Sequence, residues 1–198
     1  MSRYSARFPS SRHSLGKPIA KTPKTAVVII PPQRVWQFIQ NIRKKHDRQF
    51  NRWMPHITML FPFKPKSEFD WALEELQHVC ASFKSFEISL KRFDKFRQGK
   101  KNHTIWLAPE PREKIIELQE RIFQIFPECE DVQKFAQGFN PHLSVGQTAS
   151  GAKMRTILED LEKSWKPIKF QVSEVSLIWR KDPPNDKFQV WDTAPLSK

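Results

Sequence analysis

No aspartate or glutamate precedes Asp47 in this chain, and cysteine, glycine and tyrosine are almost as scarce. Its 198 residues hold two cysteines, Cys80 and Cys129, too few to staple a scaffold of that size and unable to build a zinc site between them. Five glycines hardly permit a Walker loop or a Rossmann glycine fingerprint, and neither pattern occurs. No apolar run approaches the ~18 residues of a membrane-spanning helix, the longest compact one being Ala26–Ile30, so no membrane partner is expected. No two of the six histidines stand at the i, i+4 spacing of a metal-binding helix, and none is paired with a cysteine at finger spacing. Neither a metal nor another cofactor is expected.

What the chain has in excess is positive charge and aromatic rings. Thirty-four Lys and Arg oppose 21 Asp and Glu, a net charge of +13 with a pI near 9.9, which favours a polyanionic partner. Sixteen Phe and seven Trp are too many for a disordered polymer. Residues 1–23 carry Arg3, Arg7, Arg12, Lys17 and Lys21 among serines and prolines, with no hydrophobic core of a secretory signal. They read as a flexible basic tail; an RNA-gripping arm and an organellar transit peptide are the alternatives, the latter weakened by Pro9, Gly16 and Pro18. The thiol usage fits a reducing compartment, so a cytoplasmic monomer is expected, or an organellar one if the tail is a transit peptide.

From Thr25 onward strand and helix signals alternate. Thr25–Ile30 is a β-branched run stopped by Pro31-Pro32, and Val35, Ile39, Ile42 and His46 follow at helical spacing. Pro55–Leu60 reads as a strand, and Ser67 with Asp70 resembles a capping box opening a helix through Val79. Phe86–Phe93 and His103–Ala108 read as strands joined by a basic loop holding Arg97, Lys100 and Lys101. The second half repeats the order: a helix over Arg112–Phe126, a strand at Pro141–Val145, a helix over Ala152–Trp165, then strands at Phe170–Trp179 and Lys187–Trp191. This predicts an α+β fold of two pseudo-symmetric lobes, each an antiparallel-rich sheet with two helices, and a cleft between them. The expected division is a tail over 1–23 and a bilobal domain over 24–198, with lobes at roughly 24–100 and 101–198.

The middle strand of each half contains the same pentad: Pro55-His56-Ile57-Thr58-Met59 and Pro141-His142-Leu143-Ser144-Val145. Side chains at i and i+2 share one face of a strand, so His56 points with Thr58 and His142 with Ser144. One histidine followed two residues later by a hydroxyl is expected by accident on the order of once in such a chain. Two with the same flanking pattern, at equivalent places in a duplicated architecture, are not dismissed that way.

The paired tetrads resemble those of the 2H phosphoesterase superfamily and, within it, the 2′-5′ RNA ligase and cyclic phosphodiesterase family. The resemblance spans roughly residues 25–192, with no departure inside the tetrads; His56–Phe63, Trp106–Pro109 and Ser176–Arg180 add supporting matches. It implies a metal-independent phosphoesterase acting on RNA or nucleotide 2′,3′-cyclic phosphate ends. Such hydrolysis needs a base to activate water and an acid to protonate the departing ribose oxygen, on opposite sides of the phosphorus. Histidine titrates near neutrality and can do either. His56 and His142 are therefore the candidate acid and base, in undecided order, with Thr58 and Ser144 as donors to the non-bridging oxygens. Phe61, Phe63, Trp179 and Arg180 are candidate substrate-binding residues, the rings to stack on bases and the guanidinium to meet phosphate. Cleavage of 2′-5′ phosphodiesters, 2′-5′ joining of RNA, and a non-catalytic RNA-binding module are the alternatives.

Overall fold

The computed structural model describes residues 21–98, 102–134 and 138–198. The β-branched run becomes β1 (Thr25–Ile29), buried along its whole length because both its faces are covered. Val27 and Ile29 enter the main core, while Ala26 and Val28 join a smaller cluster on the opposite face. α1 (Trp36–His46) follows, then β2 (Ile57–Leu60), α2 (Phe69–Ala81), the long hairpin β3 (Phe86–Gln98) and β4 (Asn102–Glu110), and α3 (Arg112–Ile125). The chain closes with β5 (Leu143–Thr148), α4 (Gly151–Ser164), β6 (Ile168–Val172), β7 (Glu174–Trp179) and β8 (Gln189–Pro195).

The expected α+β architecture is present as two four-stranded sheets, ordered β2-β1-β7-β8 and β5-β4-β3-β6, with every pairing antiparallel. Each sheet places its histidine-bearing strand at an edge, beside the strand that precedes it in its half. α2 packs on the first sheet and α4 on the second, whereas α1 and α3 cross over: α1 lies on β5 and α3 on β2. The close approach of α1 depends on Gly146, where an added Cβ would stand 2.7 Å from the Cβ of His46. Among the described residues no helix is long and apolar enough to cross a membrane.

Four expectations are corrected. The sheets do not divide the chain at residue 100, because β3 pairs with β4 in the second sheet while β7 and β8 return to the first. A short hairpin keeps consecutive strands together, so β3 goes with its hairpin partner rather than with its half of the chain. The single strand expected over Phe170–Trp179 is two strands of different sheets, parting at Ser173. Ser67 does not cap a helix: it lies inside a 3-10 turn, Lys66–Glu68, that already precedes α2, and Glu68 at the N-cap makes no side-chain bond. Ser150 does cap, its hydroxyl accepting from the Lys153 amide ahead of α4. Finally, the tail does not reach residue 23. Thr22 bridges to Phe63, Lys21 pairs with Asp131, and the Pro23 carbonyl accepts from Arg180, so the domain includes at least Lys21 onward.

Candidate active site

The period-2 pattern of the tetrads survives in the burial. Ile57, Met59, Leu143 and Val145 are wholly buried, while His56, Thr58, His142 and Ser144 are partly open between them. Regular pairing begins one residue after each histidine, so the two imidazoles stand at the mouths of β2 and β5 rather than within them. Each is anchored in the same way. His56 Nδ1 donates to the Met54 carbonyl at 2.7 Å, and His142 Nδ1 donates to the Asn140 carbonyl at 2.8 Å. A carbonyl only accepts, so Nδ1 carries the proton in both rings and the neutral form leaves Nε2 with a free lone pair.

Beyond that anchor the two surroundings differ. The His56 ring lies against Trp53 (centroids 4.6 Å, 19°), and Trp53 lies in turn on Phe188 at 3.7 Å. Behind this stack is a buried ion pair. Arg43, 2% exposed, donates to Asp47 at 2.7 Å and to the Trp53 carbonyl at 2.9 Å, fixing the loop that delivers Trp53 and Met54. The i, i+4 spacing of the pair on the end of α1 was visible in the sequence; its role in holding that loop was not. Burial pushes the pKa of His56 down to about 4 against the favourable Met54 carbonyl, and the nearby charges of Arg43 and His142 act the same way. His142 meets Phe96 edge-on at 4.8 Å and Trp106 at 5.9 Å; burial lowers its pKa too, opposed by the Asn140 carbonyl.

A cavity of about 350 Å³ is lined by Thr58 of β2 and His142 ahead of β5, together with Phe61, Pro62 and Phe139. The structure thus brings His142, Thr58 and Phe61 to one space, with His56 on the Thr58 face and Ser144 on the His142 face. Asp131 at the rim is held by Lys21 and Lys134, which depress its pKa and keep it ionised. Phe63 is removed from the substrate-binding candidates: it is fully buried and packs edge-on against Phe126 at 5.0 Å. Trp179 and Arg180 do not line the cavity either. The Lys66 ammonium stands over Trp179 at 3.7 Å and over Trp191 at 4.3 Å, occupying the ring face a base would use. Arg180 covers Phe188 at 5.6 Å and faces Asp186 at 4.0 Å. Lys100 and Lys101 of the basic loop lie outside the described residues, as does His13. Trp53, Phe96, Trp106, Phe139 and Asn140 were not legible as site residues, since nothing in their spacing separates them from core or loop positions. Both thiols are buried and pushed up to about 12 by desolvation, so neither is a nucleophile at neutral pH. Among the described residues no three His, Cys, Asp or Glu side chains gather as metal ligands.

Solved structures place this arrangement in a class. A protein of Thermus thermophilus superposes with a TM-score of 0.60 at 16% identity over 87% of this chain and 97% of its own. LigT of E. coli, solved with 3′-AMP, superposes with a TM-score of 0.58 at 17% identity over 90% of this chain and all of its own. At these identities the likeness shows the fold, the bilobal fold of LigT. The family follows from the sequence: a model described as the 2′-5′ RNA ligase superfamily matches residues 31–184, so the chain belongs to that superfamily of 2H phosphoesterases. Relatives named by inference as phosphoesterases include one from Geobacillus kaustophilus, 25% identical over 86% of this chain and 94% of its own length. Another, from Staphylococcus haemolyticus, is 25% identical over 86% of this chain and 98% of its own. Its class is accordingly that of a phosphoesterase, a hydrolase.

Proposed function

We propose that this protein opens 2′,3′-cyclic phosphates at RNA or nucleotide ends without a metal, using His56 and His142 as base and acid. The observation that carries the reading is the pair of imidazoles, each with Nδ1 held by a carbonyl two residues upstream and Nε2 left for chemistry. His56, the more thoroughly desolvated ring, is neutral at physiological pH and takes the proton of the attacking water. The new oxygen–phosphorus bond forms as the bond to one ribose oxygen breaks, and His142 gives that oxygen its proton. His142 becomes the acid once an anionic phosphate lies beside it, because a neighbouring negative charge raises an imidazole's pKa. Thr58 and Ser144 donate to the non-bridging oxygens, where charge grows in the transition state. The cavity walls formed by Phe61 and Phe139 suit the apolar faces of the terminal nucleoside.

The nucleotide complexes of LigT, with 3′-AMP and with ATP, support a nucleotide-sized substrate for this fold. The test is a panel of purified protein in EDTA against RNA ending in a 2′,3′-cyclic phosphate, cyclic mononucleotides and 2′-5′ oligoadenylate. Ring opening of the cyclic phosphates is expected. Turnover of the oligoadenylate alone would move the assignment to 2′-5′ diester cleavage, and activity that returns only with a divalent ion would make the histidines ligands.

A further inference from the structure

The face of the second sheet that bears His142 and Ser144 continues into a groove of about 710 Å³ that the proposed chemistry leaves unused. Trp106 forms part of its floor, paired directly with Ser144 on one side and with Asp94 on the other. Asn140, whose carbonyl anchors His142, lines both this groove and the smaller cavity that holds Thr58 and Phe61. The two spaces meet at that residue.

Trp106 is 5% exposed, its ring lies on Phe96 at 4.8 Å, and its Nε1–H has no acceptor in the protein. Buried N–H groups are as a rule paired, and an indole is a donor only, so a ligand fitted to this wall has to bring an acceptor. The charges around the groove say what kind. Four cations face four carboxylates, with Arg92 bonded to Glu110 at 3.1 Å and Lys169 facing Glu87 at 3.3 Å. Matched charges do not concentrate phosphate as an unopposed cation cluster does. They suit a planar group read by hydrogen bonds, and every nucleobase offers ring-nitrogen or carbonyl acceptors.

We propose that this groove holds the nucleobase preceding the reacting end of an RNA chain, with the Trp106 indole donating to a base acceptor. The proposal rests on the cyclic-phosphate reading above: the terminal nucleoside fills the Thr58–His142 cavity and the chain leaves past Asn140 toward Trp106. A dinucleotide 2′,3′-cyclic phosphate is then a better substrate than a mononucleotide.

Trp106→Phe removes the donor while keeping an aromatic ring against Phe96. The ratio of kcat/KM for the dinucleotide to that for the mononucleotide should fall roughly 3- to 10-fold, the worth of one hydrogen bond. An unchanged ratio overturns the proposal. A second measurement needs neither catalysis nor a folded variant. In the native protein the Trp106 indole N–H resonance, assigned through its own backbone, should shift when an unreactive dinucleotide 3′-phosphate is added and stay in place with a mononucleotide 3′-phosphate. If no cyclic phosphate is turned over, the proposed function fails and the groove is judged on this shift alone. A resonance that saturating dinucleotide leaves unmoved overturns the groove assignment even in an active enzyme.

Discussion

The two halves of the site share a backbone plan and differ in what covers it. On the first sheet Thr58 pairs with Val28, and Val28 with Ser176; on the second, Ser144 pairs with Trp106, and Trp106 with Asp94. These rows correspond strand for strand. The first is sealed by Ala26, Val28, Ile178 and Phe188 with Trp53 packed over them, and His56 lies beneath that cover. The second is left as an open groove with His142 at one end. The duplication therefore keeps what the reaction needs on both sides, an anchored imidazole and a hydroxyl. One face is given to rigid packing and the other to recognition. The sealed half explains why His56 is the harder ring to protonate, and the open half shows where a longer substrate has room.

Removing either imidazole breaks the comparison most directly. His56→Ala and His142→Ala should each lower turnover by at least ~100-fold, with the double variant little worse than the slower single one. Near-full activity in either variant, measured under single-turnover conditions, would remove that ring from the chemistry.

The buried ion pair belongs to the first half alone, and it should show in stability. Asp47→Ala strands the 2%-exposed Arg43 guanidinium and should cost about 3–5 kcal/mol in denaturant unfolding. The pH dependence of folding follows from the same half. The unfolded chain binds its His56 proton near the ordinary 6.5 and the folded chain only near 4, so the unfolded state holds more protons between those values. Stability is complete above 6.5 and falls as the pH drops toward 4, by up to about 3 kcal/mol from this ring. Trp53→Leu uncovers His56 and should raise its titration midpoint, read by NMR of the ring, and flatten that pH dependence.

Thr58→Ala and Ser144→Ala should each cost about 1–3 kcal/mol of transition-state stabilisation with the fold intact, a loss expected in kcat and not in the melting temperature. The smallest effect concerns the basic tail. Deleting residues 1–20 removes Arg3, Arg7, Arg12 and Lys17, so the salt dependence of RNA binding should flatten. The log–log slope should drop by about 0.7 for each phosphate that the tail no longer neutralises. Hydrolysis of a cyclic mononucleotide should hardly change. Extending the deletion through Pro23 also removes the Thr22–Phe63 bridge and the Lys21–Asp131 pair, and thermal stability should fall with it. Equal melting temperatures for the two truncations would return the domain boundary to residue 24.

The sequence made the repeated elements and both tetrads legible because period-2 and period-3.6 burial leave direct marks on residue order, as in Pro55–Met59 and Pro141–Val145. It did not reveal that β6 and β7 belong to different sheets, since Phe170–Trp179 is one continuous strand-like run and the switch at Ser173 is set by tertiary pairing. Nor did it separate Phe61, which lines the cavity, from Phe63, which is fully buried. Both follow the same tetrad at alternate positions, and only the packing of Phe126 against one of them tells them apart. The cover over His56 is assembled from Trp53 and Phe188, far apart in the chain, and no local pattern announces such a contact.

The account stands most directly on one pH–rate profile: turnover of RNA ending in a 2′,3′-cyclic phosphate, in EDTA, across the range in which imidazole titrates. Two coupled histidines predict a bell-shaped curve whose limbs belong to the pair and which is lost in both alanine variants. No turnover in EDTA, with activity restored by a divalent ion, would contradict it.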